Sequence, residues 1–165
     1  MRTTTWLGLI SAATMLMAIA AAAEMAPEWK KCTGNKDVDW DVQIQACSAL
    51  IKSGRETKHN TAVAFDNRAN AWRGKHENER SLADHNEAIR LEPNFPHAFF
   101  NRGNVYFVRE DWEHAIADYS QAYKLDAKFA EPLYWRGVAK NRWHDDNSGD
   151  EDIAAAKRID PNVGE

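Results

Sequence analysis

The sequence predicts an all-helical protein, a solenoid of three matching helical hairpins behind an N-terminal capping helix. Three observations lead there. Residues 61–162 read as one 34-residue unit written three times without a gap, and a fixed period of that size means stacked supersecondary units. Apolar residues recur at helical spacing in each half-unit, with no alternating strand pattern. Each unit also closes on a short stop: Glu92-Pro93-Asn94, Asp126-Ala127-Lys128 and Asp160-Pro161-Asn162.

Residues 1–23 stand apart from this. Arg2, the nearly unbroken apolar run from Trp6 to Ala22 and the small residues Ala21-Ala22-Ala23 read as a signal peptide removed on export. The competing reading is an uncleaved anchor, although the run is a little short of the ~20 residues of a span. Without this segment the chain keeps 20 Lys+Arg against 25 Asp+Glu, a formal charge of −5. That balance argues against nucleic acid, which needs clustered cations to displace counterions. The expected location is periplasmic or secreted, with no membrane contact after cleavage.

Residues 24–60 form the lead-in. Glu24 to Lys36 is polar, carries Pro27 and Gly34, and reads as irregular. Asp37 or Asp39 can cap the helix that follows. From Trp40 to Lys52 the residues Trp40, Ile44, Cys47 and Ile51 make one apolar stripe, and Ser53-Gly54 ends it. Arg55 to Asn60 is a polar linker. Cys32 and Cys47 are the only cysteines. In an exported chain such a pair is expected as a disulfide. Free thiols and redox work are the alternatives, and neither a CxxC pair nor a ligand-spaced His supports redox or zinc chemistry.

The three units (61–94, 95–128 and 129–162) each divide into two helices. Unit one runs from Thr61 to Gly74 and from Glu79 to Leu91. Unit two runs from Pro96 to Arg109 and from Trp112 to Leu125. Unit three runs from Ala130 to Trp143 and, after the acidic stretch Asp145 to Asp150, from Glu151 to Ile159. The small residues Ala69, Gly103 and Gly137 allow close approach of a partner helix, and Ala88, Ala122 and Ala156 do so from the other side. Pro93 and Pro161 stop helices, lacking an N–H and restricting the residue before them.

In unit one a small residue (Ala69), an aromatic three later (Trp72), a second small residue nineteen after the first (Ala88) and a proline five beyond (Pro93) resemble the tetratricopeptide repeat (TPR). The chain departs from that pattern with arginine before each small residue, Ser81 and Gly149 for alanine, Lys140 for the aromatic and Ala127 for proline. Asn101-Arg102-Gly103 and the Cys-bearing lead helix resemble exported bacterial members of the family. The helix over Asp37–Ser53 aligns with a second helix of the repeat, which makes it a half-repeat capping the stack.

Candidate chemistry is sparse. Arg68, Arg102 and Arg136 precede Asp84, Asp118 and Asp152 by sixteen residues. On antiparallel helices that spacing lets each pair meet in a bidentate bridge. A structural pair between helices competes here with a row of arginines awaiting an anion. The six histidines are scattered, and Asp145–Ala156 fails the EF-hand pattern at its sixth and twelfth places. No hydrolase, P-loop, dinucleotide or metalloprotease motif occurs, so no enzyme, cofactor or metal is expected.

The resemblance implies a groove lined by the first helices, holding a protein or peptide partner. Its lining would include Asn67, Asn70 and Arg73, then Phe100, Asn101, Asn104 and Phe107, then Tyr134, Trp135 and Arg142. Amides satisfy a peptide backbone, and rings bury area at low entropic cost. Some relatives clamp a terminal carboxylate with Lys, Asn, Asn, Lys and Arg. The matching positions are Asp66, Asn70, Asn101, Val138 and Arg142, so both lysines are lost and a neutral or basic segment is expected. The aromatics packing on the chain itself is the alternative to an open groove. The last helix either ends the stack unaided or offers a weak self-association face, the mark of a structural subunit.

Overall fold

The computed structural model describes residues 27–34 and 39–165, and the proposed signal peptide lies outside them. Eight helices follow one another among the described residues: α1 (Pro27–Cys32), α2 (Trp40–Ser53), α3 (Lys58–Gly74), α4 (Asn78–Leu91), α5 (Pro96–Val108), α6 (Trp112–Leu125), α7 (Ala130–His144) and α8 (Asp150–Ile159). No strand is present among them. Each helix packs chiefly on its chain neighbours, as α3 on α4, α5 on α6 and α7 on α8, while α3 and α5 also touch across the stack. Contacts this local are what a solenoid has.

Local chemistry sets the boundaries. Asp39 caps α2 by accepting from the Asp41 N–H at 2.8 Å, and Gly54 ends it in the left-handed region at φ 62°. Thr57 caps α3 through the Asn60 N–H at 3.1 Å, so α3 begins at Lys58, inside the stretch that reads as a linker. Ala127 stands where the family has proline, and the stop survives because Asp126 Oδ1 accepts from the Lys128 N–H at 2.9 Å. Asp160 and Asn162 repeat that turn at 3.0 Å.

The segment that reads as an irregular lead-in is in part helical. α1 is tied down by three contacts. Cys32 lies at disulfide distance from Cys47, with Cα atoms 4.7 Å apart. Gln43 Nε2 donates to the Cys32 carbonyl at 3.0 Å, and Trp29 Nε1 donates to Glu56 at 3.1 Å. Cys32 and Cys47 form a buried cluster with Ala46, Leu50 and Ala64 at the start of the stack, and Trp29 packs against it. Cys32 and Cys47 are fifteen residues apart, the separation of Asn104 and Tyr119, whose side chains meet at 2.9 Å. α1 and α2 pack together as neighbouring helices. The lone capping helix is better described as a short first hairpin.

Inside each full hairpin the arginine clamps the aspartate. Arg68, Arg102 and Arg136 each donate through Nε and Nη2 to both oxygens of Asp84, Asp118 and Asp152, at 2.6 to 2.8 Å. Nη1 then reaches the preceding hairpin, at Ser48 (3.0 Å), Asn86 (2.6 Å) and Ser120 (3.3 Å). One side chain thus sets the register within a unit and between units. The arginine in place of the family's aliphatic residue is explained by this role. Lys140, in place of an aromatic, joins the third clamp by donating to Asp152 at 2.7 Å.

Candidate functional site

The first helices α3, α5 and α7 carry every residue expected to line the groove, and their fates differ. Asn104, Phe107 and Trp135 come together with Arg73 and Val108 around a pocket of 270 Å3. Trp135 stands edge-on to Phe107, centroids 5.3 Å apart, and Phe107 stands edge-on to Trp112 at 5.2 Å. Behind them lie the buried Ala115, Tyr119 and Ala139. Tyr119 is fully buried and donates its hydroxyl to Asn104 Oδ1 at 2.9 Å. Burial pushes that hydroxyl's pKa up, aided by the nearby Asp118 carboxylate, so it stays a donor. Asn104 is thereby held with its NH2 group left to donate.

The remaining expected residues are placed elsewhere. Asn101 Nδ2 donates to both oxygens of Asp66 at 3.0 and 3.3 Å, latching unit two onto unit one. His85, fully buried, sets Nδ1 3.0 Å from the same carboxylate. Asp66 is itself buried, and its carboxylate accepts from Asn101 inside the protein. The acid at this clamp position therefore bonds within the stack. Asn70 carries a buried Oδ1 that no described group meets. The Asn67 backbone carbonyl accepts from Gln43 at 3.3 Å. Phe100 packs between Tyr119 and Phe129, at 5.8 and 5.1 Å. Tyr134 is covered by the C-terminal residues, since it joins the cluster of Leu133, Ala156 and Val163 and lies against Gly164. Arg142 is exposed and lines no part of the pocket.

Val108 is the pocket residue that the sequence reading passed over. Its signal was its column: it stands 34 residues before Arg142, at the same place on α5. The acidic stretch leads into the start of α8. Asn141 accepts from the Gly149 N–H at 2.6 Å and donates to Asp150 at 2.8 Å. Asp150, Glu151 and Asp152 then fill the first turn, where acids complement the helix dipole. Among the described residues no group of three or more His, Cys, Asp and Glu converges as metal ligands would.

The model of the family described as TPR repeat matches residues 103–141, from the end of α5 through α6 and most of α7. No curated protein matches the chain in sequence. Solved structures do match in fold. The crystal structure of MamA superposes with a TM-score of 0.70 at 17% identity, over 84% of this chain and 77% of that one. The second TPR domain of human RPAP3, in complex with an HSP70 peptide, gives 0.62 at 21% identity, over 66% and 90%. YrrB, a TPR protein with an unusual peptide-binding site, gives 0.63 at 16% identity, over 74% and 61%. At these identities the likeness is one of fold. The matched repeat and the hairpins on either side of it share one register, and the chain is a tetratricopeptide-repeat protein in fold.

Proposed function

We propose that the chain is a non-enzymatic interaction module that holds a segment of another polypeptide along the face of α3, α5 and α7, outside the cytoplasm. The observation that carries the reading is the pocket between Arg73, Asn104, Phe107, Val108 and Trp135. There, among the described residues, an amide and two rings expected in the groove converge on open space. Two solved structures of the same fold are described as peptide-binding or peptide-bound, which supports a polypeptide as the occupant. The Cys32–Cys47 pair supports an oxidising compartment, as does the signal-like start of the sequence.

A photo-crosslinking residue placed at Phe107 in the full chain, expressed in its native cell, tests this directly. Discrete polypeptide adducts are expected from that position in the exported fraction. The same residue at the exposed Ala117 on α6 is the control, and none are expected there. Equal adducts from both positions remove the groove, and adducts confined to the cytoplasm remove the location.

A further inference from the structure

The identity of the docked segment can be narrowed, resting on the groove reading above, because one arginine differs from its neighbours. Arg68, Arg102 and Arg136 are each clamped by an aspartate. Arg73, in the last turn of α3, is half-buried, and no carboxylate among the described residues pairs with it. Its Nε is buried without a hydrogen-bond partner. A guanidinium does not shed its charge in proteins, and a buried donor left without a partner costs free energy.

Its surroundings point one way. The polar side chains lining the pocket are Arg73 and Asn104. Asn104 Oδ1 already accepts from Tyr119, so both residues face the pocket as donors. The walls are Phe107, Trp135 and Val108, and Val108 is 59% exposed. Asp66 is buried and accepts from Asn101. Glu131 sits in the first turn of α7, whereas Arg73 is in the last turn of α3. At 270 Å3 the pocket falls below the roughly 300–1,000 Å3 of small-molecule sites, a size that suits side chains of a docked chain.

We propose that the pocket takes an acidic side chain of the docked polypeptide on Arg73 and Asn104, with an adjoining apolar side chain against Phe107, Val108 and Trp135. The arginine fork matches a carboxylate in two parallel bonds, and the three clamps elsewhere in the chain show that geometry.

The test selects random dodecapeptides displayed on phage against the full chain, Arg73→Gln and Trp135→Ala in parallel. Asp or Glu beside Leu, Phe or Trp is expected to be enriched on the wild type. Arg73→Gln is expected to lose the acid preference and keep the apolar one. One selected peptide is then synthesised with its acid and with the matching amide. The acid-to-amide change is expected to weaken binding ~10-fold or more on the wild type and less than ~2-fold on Arg73→Gln, the range of a charge-assisted hydrogen bond. Melting curves check that Arg73→Gln is folded. If it is not, Arg73→Lys replaces it, keeping the charge without the fork, and the acid preference is expected to persist at lower affinity. Peptides that bind with no acid preference overturn this inference and leave the groove reading standing. A selection whose peptides are all indifferent to Trp135→Ala overturns the groove reading itself.

Discussion

Arg102→Ala is the sharpest test of what holds the stack together. Asp118 keeps 8% of its side chain exposed and receives two bonds from Arg102, at 2.8 and 2.7 Å. Removing the arginine leaves a buried carboxylate unpaired, a change that typically costs about 3–5 kcal/mol. It also frees Asn86 and strips the guanidinium from the Phe99 ring, now 5.5 Å from the centroid. For a chain of this length that corresponds to a melting point lower by about 6–20 °C. The cost also depends on pH. Burial already pushes the Asp118 carboxyl up, against the pull of Arg102, and without Arg102 it rises further. A pKa raised in the folded state means the native form binds the extra proton, so the deficit is fullest above that value and shrinks as pH falls through it. Thermal melting followed by circular dichroism near pH 7 and again at about pH 4.5 therefore gives a large deficit and then a smaller one. Amide exchange locates the loss in α5 and α6. A variant that melts with the wild type while losing a groove ligand would refute the structural role and make the arginine row a binding site.

Two further outcomes follow from the packing and charge of the other units. Gly103→Ala places a methyl 2.8 and 2.9 Å from ring carbons of Tyr119, well inside the roughly 3.5–4.0 Å of good contact. Overpacking of about 1–3 kcal/mol outweighs the ~1 kcal/mol that alanine gains over glycine in a helix, so the urea midpoint falls; a rise would show that the approach is slack. Asp152 is pushed up by burial, but Arg136 and Lys140 together outweigh this and hold its carboxyl below the usual range. Its contribution is present above the ordinary carboxylate pKa of about 3.9 and is lost as pH falls through its lower folded value. Asp152→Asn is expected to flatten that acid limb, and parallel acid-unfolding curves would contradict the assignment.

The repeat made much of this legible in the sequence. In a stack of hairpins almost every contact joins residues within about one period, so spacing along the chain is already geometry. That is why sixteen residues between Arg68 and Asp84 foretold a bidentate pair, and why the Ala and Gly columns foretold close helix crossings. The same logic applies in the N-terminal segment, where fifteen residues separate Cys32 from Cys47. α1 went unread because six residues show too little periodicity.

Which face positions remain open was decided only in three dimensions. Asp66, Asn101 and Asn104 occupy lining columns alike, yet two of them spend their polar atoms on each other and the third is turned by a buried tyrosine hydroxyl. Tyr134 packs against residues thirty places further along, while Arg73 keeps a buried Nε that no described group meets. A period specifies where side chains start. Whether they end satisfied depends on the size and polarity of whatever packs against them from the next hairpin.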